Sequence, residues 1–203
     1  MINLIDFELG NIGSVQNMLE RLGLEVKKSS SLRDLDNASC IILPGVGSFD
    51  AMRSQICESY KVKLQQKVLI DKVPILGICL GMHMLTHSSE EGELPGLSFI
   101  NARTCRLKAK TPMDKIPNMG WRSISSSNHE LFDAIEEPKF YFAHSYAVEC
   151  LVERDVCAST SFAENQICCA FQSQNVYGVQ FHPEKSHKYG FKFFENFFRL
   201  VNI

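Results

Sequence analysis

Two stretches far apart in the chain carry residue types that could do chemistry together. The first is Gly77-Ile78-Cys79-Leu80-Gly81, and the second is Gln180-Phe181-His182-Pro183-Glu184-Lys185-Ser186. A cysteine attacks as its thiolate, so it needs a base to take its proton. That base needs an acceptor to hold its ring and to stabilise it once charged. His182 and Glu184 stand two residues apart, a spacing that points both side chains the same way along an extended segment. Cys79 as nucleophile, His182 as base and Glu184 as orienting carboxylate would make a line of proton transfer. Each stretch alone has a plainer reading: a buried structural cysteine in a corner, and a surface His-Pro turn. Their pairing favours catalysis.

For this chemistry Cys79 must sit on a tight turn. Val73-Pro74-Ile75-Leu76 before it reads as a strand, and Met82-His83-Met84-Leu85 after it as a helix. Strand, Gly-X-Cys-X-Gly turn and helix form a nucleophile elbow with cysteine in the serine slot. Glycines are expected there because a Cβ would clash, and an unusual φ is expected at the turn. The helix behind offers N–H groups and the positive end of its dipole to a thiolate. Upstream, Cys40-Ile41-Ile42-Leu43 is apolar throughout, as a parallel strand covered on both faces would be. Pro44-Gly45-Val46-Gly47-Ser48 follows at once. It is either an ordinary turn or a loop whose amides point into a site, with Ser48 capping the next helix. Both chemical stretches fall at the C-terminal ends of strands, the edge that carries ligands in open parallel sheets.

Strand and helix alternate as far as about Ser89. A strand at 1–7, a helix from Gly10-Asn11 to about Leu22, a strand at 24–27 and helical sequence from Ser48 to about Asp71 are expected. This pattern predicts an α/β fold: a doubly wound central parallel or mixed sheet with helices on both faces. Short strands at 97–107, 120–123, 141–148, 156–162, 167–171 and 176–179 predict an added antiparallel region in the second half. A last helix over 186–201 carries Phe191, Phe194, Phe198 and Val201 at helical spacing, which suits a core face. Without repeats, low-complexity segments or a long linker, residues 1–203 read as a single domain.

Composition narrows the function classes. A net charge of −2 with scattered Lys and Arg leaves no electrostatic footprint for nucleic acid. The densest basic patch, Arg103 to Lys115, lacks interleaved aromatics and reads as a solvated strand and loop or part of a protein contact. The chain has no apolar run long enough to span a membrane, and its start reads as a strand, not a basic leader. A cytoplasmic protein without membrane contact is expected. The 8 cysteines show neither a Cys-x-x-Cys pair nor zinc-ligand spacing, so free thiols are expected, all but Cys79 serving packing. No metal, nucleotide or flavin signature appears, and no cofactor is expected.

Gly-Ile-Cys-Leu-Gly-Met, Pro-Gly-Val-Gly-Ser-Phe and Gly-Val-Gln-Phe-His-Pro-Glu-Lys-Ser resemble the motifs of class I (triad) glutamine amidotransferases. Asp6 with Gly10-Asn11, Ile116-Pro117-Asn118-Met119-Gly120-Trp121 and Tyr141-Phe142-Ala143-His144-Ser145-Tyr146 resemble, more narrowly, the glutaminase subunits of imidazole glycerol phosphate synthases. The resemblance implies that Cys79, His182 and Glu184 hydrolyse L-glutamine, with the N–H of Leu80 and an amide of Val46-Gly47 meeting the oxyanion. It implies that Glu91 receives the α-amino group, and that His83 and the His144-Ser145-Tyr146 backbone complete the substrate site. It also implies a (β/α)8-barrel cyclase as hetero-dimer partner, met by Asn11, Asn118, Trp121, Arg122, Tyr141 and Lys185. His83 replaces the family's usual glutamine, and Asn118 and Arg122 depart from its usual His and Asn. These departures keep open a paralogue that supplies ammonia for amidino groups on surface sugars. A non-catalytic module and a cysteine peptidase of related fold are remoter alternatives.

Overall fold

Buried strands run side by side because β-branched and long aliphatic residues line both of their faces. The computed structural model describes residues 1–7, 12–126 and 129–203. The first half contributes β1 (Ile2–Leu4), α1 (Ile12–Arg21), β2 (Val26–Lys28), α2 (Leu32–Asp36) and β3 (Cys40–Gly45). There follow α3 (Phe49–Gln55), α4 (Glu58–Gln65), β4 (Ile75–Cys79) and α5 (Leu80–Met84). The second half adds β5 (Ala102–Arg106), β6 (Asn118–Ser123), β7 (Ser125–Ser126), β8 (Lys139–His144) and β9 (Tyr146–Cys150). It closes with β10 (Val156–Phe162), β11 (Asn165–Ser173), β12 (Val176–Val179) and α6 (His187–Leu200).

The main sheet runs β2-β1-β3-β4-β12-β11-β10-β7, with β9 joining β11 to β5. Its pairs from β2 to β12 are parallel, and those beyond β12 are antiparallel. A separate ribbon pairs β6 with β8. This is the doubly wound sheet with an antiparallel extension that the sequence pattern predicts. Alternation within β3 shows why its run is apolar throughout. Cys40 and Ile42 join the core under α1 and α6, whereas Ile41 and Leu43 join the core under α3 and α4.

Several boundaries differ from expectation, each for a local reason. Helical sequence from Ser48 is broken at Ile56-Cys57, and α4 continues into a π-turn over Gln66–Ile70. Ser48 stands at the N-cap of α3, but its hydroxyl makes no capping bond. Residues 97–101 form no strand; their N–H groups turn back onto carbonyls at the end of α5, and pairing begins only at Ala102. The strand expected over 141–148 is two strands meeting at Ser145. The start of the first helix at Gly10-Asn11 lies outside the described residues, as does Asn11 as an interface position. In α6, Phe193 and Phe197 are buried beside Phe194 and Phe198, while Phe191 is only partly covered. All eight cysteines are free, but Cys57 is exposed and does not serve packing. The patch from Arg103 is solvated, with Arg103 paired to an exposed Glu149 at 2.8 Å. No described helix is long and apolar enough to cross a membrane.

Candidate active site

Cys79 owes its position to two close backbone approaches. It is the last residue of β4 and the N-cap of α5, with φ 54° and ψ −111°. The unusual φ therefore falls on the cysteine itself, a conformation that costs an L-residue of order 1–3 kcal/mol and clusters at functional sites. The glycines of the motif serve packing instead. A Cβ on Gly77 would lie 2.5 Å from the Gly81 carbonyl oxygen, and one on Gly81 would lie 1.7 Å from the Leu43 carbonyl oxygen. Because rigid backbone opposes each, Gly81→Ala is expected to lose at least about 3 kcal/mol of stability or to fail to fold. Urea unfolding checks this.

Sheet register gathers the remaining groups at the same edge. Gly45 of β3 pairs with Cys79, so the Val46-Gly47 loop leaves the sheet beside the sulfur. Gly47 has φ +98°, open to glycine and strained for other residues. Val179 of β12 pairs with Ile78 of β4, which brings the segment after β12 alongside the elbow. His182 is then fixed by its own backbone: its N–H donates to the Tyr141 carbonyl, and its carbonyl accepts from Ser186 Oγ at 2.7 Å. Ser186 Oγ also accepts from the Tyr141 N–H at 3.0 Å. Ser186 is a supporting residue without an expected role; its place three residues past Pro183, where a tight turn brings it back, was the available signal.

His182 Nδ1 lies 2.8 Å from Glu184 Oε1, both side chains being buried. The contact arises differently from expectation. Pro183–Lys185 is a 3-10 turn, and its curl rather than an extended segment carries the carboxylate to the ring. Burial opposes charge on the ring, but hydrogen bonding to Cys79 and Glu184 and their negative charge outweigh it. The imidazole pKa is pushed up to about 10. The ring is thereby favoured in its charged form, with Glu184 on one side and Cys79 on the other.

A cavity of about 290 Å³ opens over these groups. Val46, Gly47, Cys79, Leu80, His83, Glu91, His144, Ser145, Tyr146, His182 and Lys185 all line it, so the expected oxyanion and substrate positions converge with Cys79 and His182 on one hollow, while Glu184 stands behind His182 outside the lining. Burial raises the pKa of Glu91 while a backbone N–H bond from Phe49 works against it. His83 is buried and neutral, its pKa lowered to about 4 by desolvation. The His144 ring is committed to structure, Nδ1 to the Tyr146 carbonyl at 2.7 Å and Nε2 to Asn118 at 3.0 Å. Its backbone is what the cavity can use.

Of the expected partner-facing residues, Asn118 requires correction. It is fully buried, bonded to His144 and accepting from Arg122 Nε at 3.0 Å, because its side chain points inward from β6. Arg122 and Lys185 are exposed, and Tyr141 is partly so. Trp121 is 42% exposed, so its indole is not part of the core. Its ring stacks on His187 at 5.7 Å and meets Tyr141 edge-on at 6.3 Å. Among the described residues, no cluster of three or more His, Cys, Asp or Glu side chains could hold a metal ion.

A thiol and an imidazole on one such cavity, with a carboxylate behind the ring, can perform acyl transfer, and comparison with known proteins agrees with that chemistry. The family described as Glutamine amidotransferase class-I matches residues 3–201. Imidazole glycerol phosphate synthase subunit HisH 2 of Methanococcus maripaludis is 46% identical, covering 98% of this chain and 99% of its own. The protein of the same description from Pseudomonas aeruginosa is 42% identical over 99% and 100% of the two chains. A crystal structure of a glutamine amidotransferase superposes with a TM-score of 0.76 at 17% identity, over 100% of this chain and 99% of that one. PurLQS from Thermotoga maritima gives 0.73 at 17% identity, over 98% of each chain. The two structures establish the fold, and the family match and the relatives establish the lineage. The chain belongs to the class I glutamine amidotransferase family.

Proposed function

We propose that this chain is the glutaminase subunit of an imidazole glycerol phosphate synthase, acting in histidine biosynthesis. It hydrolyses L-glutamine and passes ammonia to a (β/α)8-barrel cyclase, which makes imidazole glycerol phosphate and AICAR. The observation that carries the reading is the imidazole of His182 between Cys79 and Glu184 on one cavity, in a family whose relatives bear that synthase's name. Those names favour it over the sugar-modifying alternative. Free thiols and the metabolic setting suit the cytoplasm.

Cys79 Sγ attacks the carboxamide carbon, and the electron pair moves onto the oxygen. The Leu80 N–H and an amide of Val46-Gly47 meet that oxyanion; one such donor contributes about 2.7–4 kcal/mol to the barrier. The tetrahedral centre collapses as His182 gives its proton to the leaving nitrogen, releasing ammonia and a γ-glutamyl thioester. Water then attacks the thioester, His182 takes its proton, and glutamate leaves with the thiolate restored. Glu184 holds the ring through both transfers. Glu91 receives the substrate's α-amino group, and the His144-Ser145-Tyr146 backbone its α-carboxylate.

Transfer of labelled nitrogen tests this reading. With amide-¹⁵N glutamine and the co-purified cyclase, the label should enter the imidazole product even when unlabelled ammonia is in excess. Label appearing only as free ammonia, or in an amidinated sugar, would overturn it. Trp121, Arg122, Tyr141 and Lys185 form the face offered to the cyclase. Trp121→Ala should weaken the complex by about 2 kcal/mol, roughly thirtyfold in Kd, since exposed and rigidly stacked tryptophans dominate such interfaces. Titration calorimetry measures it.

A further inference from the structure

Gln180 has no part in the proton line, yet it is fully buried against the nucleophile. Parallel register between β12 and β4 releases Gln180 and Cys79 from the sheet side by side. Gln180 Nε2 donates toward Cys79 Sγ at 3.8 Å, and its Oε1 lies 2.7 Å from His83 Nε2. His83 sits one helical turn after Cys79, on the same side of α5.

The chemistry of these atoms fixes their protons. A carboxamide oxygen only accepts, so His83 must carry its hydrogen on Nε2 and donate it. Its Nδ1 is then bare, buried and without a partner among the described residues. Burial disfavours a second proton there, which leaves the ring a single donor. Turning the Gln180 amide over would set its oxygen against the sulfur and require the other His83 tautomer. A thiolate repels that oxygen and attracts the NH2 group.

We infer that Gln180 is a second donor to the Cys79 thiolate, beside His182, and that His83 is a positioning residue that locks the Gln180 amide with its NH2 toward the sulfur. The inference rests on Cys79 being the nucleophile. Titratable groups around the sulfur are His182 with Glu184 behind it, His83, His144, Glu91 and Lys185. Gln180 does not titrate, so its support for the thiolate persists across their pH range.

The test follows alkylation of Cys79 by iodoacetamide against pH, read on the Cys79 peptide by mass spectrometry, because the exposed Cys57 reacts as well. Gln180→Met and His83→Leu should each slow alkylation about tenfold below the midpoint, moving the midpoint up by about one unit. His83→Gln, whose NH2 can donate to Gln180, should restore the original profile. In the unsubstituted protein, ring ¹⁵N shifts of His83 should show a protonated Nε2 and a bare Nδ1. This measurement needs no variant to fold. Unmoved midpoints in Gln180→Met and His83→Leu, or an Nδ1–H tautomer, would overturn the inference while leaving the glutaminase reading in place. An unreactive Cys79 in the unsubstituted protein would overturn both.

Discussion

Cys79→Ala should abolish glutamine hydrolysis, by a factor of about 10⁶, while the folded protein and its complex with the partner subunit survive. No other group at the cavity can form the thioester. His182 could at best assist water, and the amides of Leu80 and the Val46-Gly47 loop would stabilise a tetrahedral species that rarely forms. The structural cost is small, because the sulfur's contacts to the Ala143 carbonyl at 3.9 Å and to Gln180 at 3.8 Å are long, and His182 keeps its bond to Glu184 when the sulfur is removed. Cys79→Gly separates the two roles of the position. It should be as inactive as alanine but at least as stable, since φ 54° strains any side chain and not glycine. A coupled glutamate assay and thermal melts of both variants give the answer. Residual hydrolysis near the unsubstituted rate would remove Cys79 from the mechanism.

What could be read from residues alone depended on how local the determining contact is. The elbow was legible because Gly77 and Gly81 meet backbone only a few residues away or on the adjoining strand, leaving little choice of residue. The apolar runs of β3 and β4 announced strands covered on both faces, and the structure divides them between two cores. The His182–Glu184 contact was legible as a pair, although a 3-10 turn makes it. Asn118 was not legible as buried, since its inward direction depends on pairing with His144 across β6 and β8. Gln180 and Ser186 were likewise hidden. Each stands in the motif, but their partners Cys79, His83 and Tyr141 come from elsewhere in the chain. Residue type gave the chemistry; the register of β12 against β4 decides which polar neighbour touches the sulfur.

Glu184→Gln should reduce turnover about 10⁴-fold and pull the alkaline limit of the site toward neutrality. The carboxylate orients the His182 ring through Nδ1 and stabilises its charged form. Glutamine keeps the size and could keep a hydrogen bond, but it supplies no charge and can present its NH2 to a nitrogen that needs an acceptor. The sign of the pH effect follows from His182. Its pKa stands at about 10 in the folded protein against an ordinary 6.5. The stabilisation it gives is complete below the unfolded value and is lost as pH rises through about 10. Without Glu184 one of the two interactions that hold the proton is gone, so the imidazolium–thiolate pair should dissolve at lower pH. Cys79 alkylation near neutrality should therefore be slower in the variant than in the unsubstituted protein. The difference in melting temperature between unsubstituted protein and variant should be largest near and below neutrality and shrink as pH approaches about 10. Above that pH a buried carboxylate whose Oε2 has no partner among the described residues faces a neutral ring, which favours the variant. A melting difference that stays constant from neutral to alkaline pH would place the charge of Glu184 outside the proton line.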